Sequence, residues 1–195
     1  MKVLIACEYS GVVRDAFIRG GHEAMSCDLL PTDAPGSHYQ GDVRDVLHYP
    51  WDLMIAHPPC TDLSVSGAAW FEKKRLNGSQ QASASFFMML AKSDIPRIAI
   101  ENPVCVMSRL WRKPDQIIQP WMFGHKEQKA TCLWLKGLPL LVATNDVKNE
   151  MMLLPKKERE RLHYLPPSAD RWKIRSQTFQ GIADAMAQQW GGNNV

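Results

Sequence analysis

Asp52-Leu53-Met54-Ile55-Ala56-His57-Pro58-Pro59-Cys60 decides the fold of this chain, together with Arg97-Ile98-Ala99-Ile100-Glu101-Asn102-Pro103 farther on. In each, a short apolar run stops at a polar turn that contains proline. Uninterrupted apolar runs of this length read as strands buried on both faces, the mark of a parallel sheet. Ligands and reacting groups in such sheets gather beyond the carboxyl ends of the strands. Cys60 and Glu101 are therefore expected on one rim of one sheet. A thiol beside a carboxyl group suits covalent chemistry on an electron-poor ring, in which sulfur attacks while the acid supplies a proton.

Outward from that pair, strand and helix patterns alternate. Residues 2–6 read as the first strand and 11–19 as a helix closed by Gly20-Gly21. Residues 23–27 form a short strand ending at Asp28, and 51–56 are the strand that leads to Cys60. The polar stretch 61–79, punctuated by Gly and Ser, is expected to be a mobile loop. Residues 80–91 make a helix with Ala82, Phe86, Met89 and Leu90 on one side, followed by a strand at 97–100. Residues 131–135 are a further strand, 156–162 have helical character and 180–190 are the closing helix. Residues 191–195 look frayed. Alternation of this kind predicts a single α/β domain over residues 1–195, with a Rossmann-like, doubly wound and mostly parallel sheet.

The composition narrows the function classes. At 195 residues the chain can bury a core without disulfides. Five cysteines without short paired spacing argue against a disulfide frame or a zinc knuckle. No apolar run approaches a membrane span and the start lacks a signal-peptide pattern, so a cytoplasmic protein is expected. The net charge is only +3, but its distribution is uneven. Lys148, Lys156, Lys157, Arg159, Arg161, Arg171, Lys173 and Arg175 face only Glu150, Glu158, Glu160 and Asp170, and Lys73-Lys74-Arg75 follows Cys60. On charge alone these are solvated faces or a phosphate-binding track.

The first strand-to-helix turn, Cys7-Glu8-Tyr9-Ser10-Gly11, occupies the cofactor position of a Rossmann-like sheet. It lacks the G-x-G-x-x-G pattern that cradles a pyrophosphate. Asp28, ending the second strand, is placed to accept hydrogen bonds from ribose hydroxyls, and Asp42, before Val43, from an adenine amino group. Singly, each would be an ordinary loop acid. Taken in this order, a ribose and an adenine without a pyrophosphate describe S-adenosylmethionine.

With these residues in hand, the chain resembles the DNA cytosine-5 methyltransferase family, and most of all its small phage and prophage members. Pro59-Cys60 matches the family's Pro-Cys nucleophile motif, and Glu101-Asn102 matches its Glu-Asn-Val motif with Pro103 in place of Val. The stretches 124–129 and 131–135 carry the likeness to the small members. The resemblance implies Cys60 and Glu101 as catalytic residues. It implies Glu8, Tyr9, Ser10, Gly11, Asp28, Asp42, Val43, Pro59, Ser176 and Thr178 around S-adenosylmethionine, and Pro58, Ser64, Asn102, Lys129 and Thr131 around the base. Plain helix capping is the other reading of Ser176 and Thr178. In place of the family's Phe-x-Gly-x-Gly turn stands Cys7-Glu8-Tyr9-Ser10-Gly11. Its Gln-x-Arg-x-Arg strand is represented by Glu127-Gln128-Lys129-Ala130-Thr131, with Lys129 and Thr131 expected on one strand face.

The activity so implied is methyl transfer to carbon 5 of cytosine in DNA. The Cys60 thiolate would add to carbon 6 of a base that is flipped out or single-stranded. The loop 61–79 would close over that base, and a short basic region at 136–175 would stand where larger members carry target recognition. Neither a metal nor a protein partner is required, and the setting is a bacterial or phage-infected cytoplasm, where restriction evasion is one role. The alternatives are the same scaffold transferring another group or acting on RNA, and, from another class, a non-catalytic DNA-binding relative or partner subunit. Cys7, Cys27, Cys105 and Cys132 are expected to be core thiols. His57, His125 and His163 are too scattered for a metal site, and Trp111, Trp121 and Trp134 are expected in the core.

Overall fold

A computed structural model describes residues 1–192. The frayed end expected from residue 191 falls, for residues 193–195, outside the described residues. Gly191 itself is buried at the end of a helix. The strands are β1 (Lys2–Ala6), β2 (Glu23–Asp28), β3 (His38–Gln40), β4 (Leu53–Ala56), β5 (Arg97–Pro103), β6 (Gln116–Ile118) and β7 (Thr131–Lys136). They form one sheet in the order β3-β2-β1-β4-β5-β7-β6. The first five run parallel, and β7 is inserted antiparallel between β5 and β6. This is the Rossmann-like, mostly parallel α/β sheet that the apolar runs predict.

The helices are α1 (Val12–Arg19), α2 (Phe71–Leu76), α3 (Ser79–Ala91), α4 (Met107–Leu110), α5 (Lys148–Met152), α6 (Lys156–Arg159), α7 (Arg161–Tyr164), α8 (Arg171–Ser176) and α9 (Gln180–Gly191). Strand residues alternate between two cores because successive side chains point to opposite faces. Val3, Ile5, Leu53 and Ile55 pack with Phe17 of α1 and with Ile182, Met186 and Trp190 of α9. Leu4, Met54, Ile98 and Ile100 pack with Phe87 and Leu90 of α3. Helices on both faces bury the central strands completely, which is why those strands are uniformly apolar in sequence.

Several elements depart from the sequence expectation. β3 and β6 are three-residue edge strands, His-Tyr-Gln and Gln-Ile-Ile, too short and polar to show a period. The stretch 61–79, expected as a loop, folds into a 3-10 turn at Val65–Trp70 and then α2. Its Lys74 ammonium pairs with Asp62 and donates to the Thr61 carbonyl. The helical stretch 156–162 is two short helices, α6 and α7, broken at Glu160. Trp111 is partly exposed and Trp121 half-buried, so neither belongs to the core, whereas Trp134 is buried between α3 and the sheet. No helix among the described residues is long and apolar enough to cross a membrane.

Arg14 is the least expected core residue. It is fully buried in α1, and its guanidinium donates to Asp15 Oδ1, Ser26 Oγ, Thr32 Oγ1 and the carbonyls of Ala34 and Pro35. The arginine thus replaces an apolar core for loop 29–37. Gly11 and Gly36 give it room: a Cβ on either would stand 2.5 Å and 2.8 Å from the guanidinium.

Candidate active site

The sheet order reverses between β1 and β4, since β1 continues to β2 and β3 on one side while β4 continues to β5 on the other. Open α/β sheets place ligands outside the carboxyl ends of strands at such a reversal. The parallel register aligns Ala6 with Ala56 and Ala56 with Ile100. Cys7-Glu8, His57-Pro58-Pro59-Cys60 and Glu101-Asn102 therefore leave the sheet side by side. Antiparallel β7 adds its beginning to the same rim, pairing Cys132 with Asn102 and Thr131 with Pro103.

Two reciprocal hydrogen bonds tie β4 to β5 at this rim. His57 Nδ1 donates to Glu101 Oε2 over 2.8 Å, and Asn102 Nδ2 donates to the Pro58 carbonyl over 2.8 Å. The His57 and Glu101 side chains are only 12% and 11% exposed. Burial alone would push the Glu101 carboxyl up, but the His57 hydrogen bond and charge, with Lys129, outweigh it and hold the group below its ordinary value. Burial would likewise push His57 down; Glu101, with Glu8 behind it, raises it instead. Contact thus moves the pair, against burial, toward a carboxylate facing an imidazolium.

Cys60 stands at the end of the Pro58-Pro59 turn, and its carbonyl accepts from the amides of Leu63 and Ser64. Burial pushes its thiol up and the charge of Glu101 adds to this, while Lys129 and Arg175 oppose both. The resting side chain is a neutral thiol. Ser64 is buried and caps the 3-10 turn, accepting from the Ser66 amide. Cys27, Cys105 and Cys132 are buried, as expected of core thiols, with Cys27 pushed up to about 12 and Cys132 to about 11, mainly by burial. Cys7 is only partly buried and carries a φ of 59°, in the left-handed region.

The first turn is built around Glu8. Its carboxylate is buried and accepts from the amides of Val13 and Arg14 at 2.7 Å and 3.2 Å, and from Ser10 Oγ. Burial raises this group despite those bonds and the nearby His57 charge. The amides at the start of α1 are where a Rossmann-like fold binds a phosphate; here the chain's own carboxylate occupies them. Gly11, at φ 75°, makes the tight entry into the helix.

Tyr9 joins this turn to the far end of the chain. Its hydroxyl donates to the Lys173 carbonyl at 3.0 Å and lies 3.1 Å from Ser176 Oγ. The Trp172 ring is 5.7 Å away, and Lys173 Nζ lies over the Tyr9 ring and pairs with Asp33. Ser176 ends α8 and does not open α9, whose cap position is Phe179 without a side-chain hydrogen bond. Helix capping therefore does not account for Ser176 or Thr178 at α9. Asp28 accepts from the Leu30 amide through Oδ1, and its other oxygen has no partner among the described residues. Asp42 caps the 3-10 turn Val43–Asp45 and holds Arg44 with both oxygens. Val43 is buried beneath it.

Lys129 precedes β7 instead of lying on it, so the strand-face relation expected with Thr131 is absent. The two still meet, because Thr131 Oγ1 donates to the Lys129 carbonyl. Lys129 Nζ donates to the Arg175 carbonyl, which brings the basic region back onto the rim. His125, at the head of the motif 124–129, acts structurally, since its Nε2 accepts from the Gly181 amide at the start of α9. Sequence reasoning missed His57, Trp172 and Lys173. His57 follows Ala56 as Glu101 follows Ile100, and only the register that pairs Ala56 with Ile100 brings the two side chains together.

Among the described residues no cluster of His, Cys, Asp or Glu is placed to hold a metal. A concavity of about 620 Å³ lies at the opposite, amino-terminal edge of β4 and β5, lined by Arg44, His48, Tyr49, Trp51, Met89 and Asp94. It holds none of the rim residues above.

No protein-family model matches the chain, and no curated protein matches it. Among solved structures it is similar to a candidate DNA modification methyltransferase encoded within a prophage of E. coli, at 14% identity and a TM-score of 0.47. The match covers 80% of this chain and 56% of the other, so this chain spans just over half the length of that protein.

Proposed function

We propose that this chain is an S-adenosylmethionine-dependent methyltransferase acting on carbon 5 of cytosine in DNA. One observation carries the reading: a partly buried thiol, Cys60 in the turn after β4, and a buried acid held in place, Glu101 on neighbouring β5, share the rim beside the sheet's reversal point. Carbon 5 of cytosine is a poor nucleophile until a group adds at carbon 6. The Cys60 thiolate adds there, while Glu101 meets ring N3 and the neighbouring amino group, where charge changes during attack. Asn102 fixes the Pro58 carbonyl and with it the turn that aims Cys60. Ser64, Lys129 and Thr131 line the base side of the rim.

The first turn fits a cofactor with a nucleoside but no phosphate. Glu8 fills the anion site of α1, so a pyrophosphate would meet a buried carboxyl group instead of free amides. The open oxygen of Asp28 suits a ribose hydroxyl, and Asp42 with Val43 borders the space for the base. Tyr9, Ser10, Gly11, Pro59, Ser176 and Thr178 complete the surround. When bound, S-adenosylmethionine supplies a methyl group on a sulfonium, open to attack by a carbon nucleophile.

The test is expression in a methylation-deficient host, followed by nucleoside mass spectrometry of the DNA. The expected product is 5-methylcytosine, absent with Cys60→Ala. Unmodified cytosine in DNA exposed to folded protein, or methylation at an exocyclic amine, would refute the reading.

A further inference from the structure

Among the described residues, the His57 ring makes its one hydrogen bond to Glu101. Nδ1 donates to Oε2, while Nε2 is buried with no partner among the described residues. A histidine that serves as a structural staple is normally bonded through both ring nitrogens; this ring is anchored to the acid alone. The charged groups that act on it come from three directions. Glu101 faces it from β5, Glu8 from the turn after β1, and Lys129 from the segment before β7. Burial pushes the ring toward its neutral form, but the hydrogen bond and charge of Glu101, with Glu8 behind it, outweigh burial and Lys129 and favour a proton on the imidazole.

We propose that His57 is the proton store of Glu101, a positioning residue that fixes the carboxylate through Oε2 and supplies the proton that Glu101 passes to ring N3. This rests on the cytosine reading above. The proton balance is closed. Cys60, having lost its proton to water, forms the S–C6 bond, and the ring's π electrons shift toward N3. The Nδ1–H bond of His57 breaks as an O–H bond forms on Glu101; that O–H bond then breaks as N3–H forms. Thiolate and imidazolium are consumed together, leaving a neutral adduct, a neutral His57 and the Glu101 carboxylate. An ionised carboxylate alone has no proton to give at neutral pH; with His57 a proton lies one hydrogen bond away. The directions in which burial and contact move the two groups agree with this division.

The test compares wild type with His57→Asn and His57→Ala. Asparagine keeps a neutral donor near the Nδ1 position but stores no proton. Methyl transfer to DNA is followed as kcat and KM across pH, and the His57 imidazole is titrated by 15N NMR in the protein without DNA, in wild type and Glu101→Gln. His57→Asn is expected to lower neutral-pH kcat about 10–100-fold, the lower part of the range for a positioned acid. Its KM for DNA should hold, and the alkaline limb of its profile should move to lower pH. His57→Ala should lose more, and Glu101→Gln should lower the pH at which the imidazole titrates. Wild-type kcat and pH profile in His57→Asn, a loss confined to KM, or an imidazole titration unchanged by Glu101→Gln would overturn the inference. Absence of methylated cytosine with wild-type protein would remove the reaction and this step with it, whatever the imidazole shows, so the two failures are separable.

Discussion

At the scale of single residues, the rim makes different demands on its two acids and its thiol. DNA containing 5-fluorocytosine blocks loss of the carbon 5 substituent and should trap wild-type protein covalently, and Cys60→Ala should form no such adduct on denaturing gels. An adduct in that variant would mean another nucleophile. The two acids proposed to hold the cofactor should separate as well. By calorimetry with S-adenosylhomocysteine, Asp28→Ala should weaken binding by about 1–3 kcal/mol, the value of a buried hydrogen bond left unmade. Asp42→Ala should cost less, because Arg44 already engages both of its oxygens and the side chain is 41% exposed. Equal losses would place Asp42 in direct contact with the ligand. The His57–Glu101 pair also shapes stability. Glu101 sits below its ordinary 4.5, so its contribution is present above that value and lost as pH falls through the folded value. His57 is raised, so its contribution is full below its ordinary 6.5 and lost as pH rises through the folded value. The melting temperature of wild type relative to a His57→Ala, Glu101→Gln double variant should therefore be greatest between these limits.

At the scale of elements, helix ends and loops hold the site together through a few close contacts. Gly181 lies under Phe123, and a Cβ there would stand 2.0 Å from its carbonyl oxygen. Gly181→Ala should therefore push the start of α9 away from His125 and cost about 1–3 kcal/mol, as overpacking does, in chemical denaturation. Arg14→Ala should cost a similar amount, about 1–3 kcal/mol, because the Ala34 and Pro35 carbonyls lose their donor. Its signature should be earlier proteolytic cleavage in loop 29–37. Neither contact could be read from sequence. Arg14 occupies a position in α1 that looks solvent-facing by composition, and only the loop folded over it supplies its acceptors. β1, β4 and β5 were legible because an uninterrupted apolar run is a local property. α3 was legible as a helix, but it buries Gln80, Ala84, Phe87 and Leu90, not the expected side with Ala82, Phe86 and Met89, because only the sheet it packs on decides which face turns inward. α8 has no strong period and takes its place by packing Trp172 against Tyr9.

For the whole molecule, the proposed function sets DNA against the basic region between β7 and α9. It consists of α5 to α8, four short helices, and returns to the rim through Arg175 and Lys173 instead of forming a separate core. Exposed cations of this kind make phosphate contacts, which position a duplex without reading its sequence. Binding should fall steeply with salt, and base-resolution mapping should find short or relaxed target sites. A strict site of four or more base pairs, made by the purified protein alone, would contradict this.

The sequence by itself determined the central strands and the rim on which Cys60 and Glu101 emerge. Runs such as Leu53–Ala56 and 97–100 can be satisfied only by burial on both faces, and the polar turns that end them must then emerge at one edge. Which residues meet across that edge was decided by tertiary structure. Glu8 turns inward because the amides of α1 need an acceptor, and His57 reaches Glu101 because β4 and β5 are parallel and in register. Tyr9 finds Ser176 only after the whole chain has closed. Contacts of this range depend on strand order and register, and neither is written in any local stretch of the sequence.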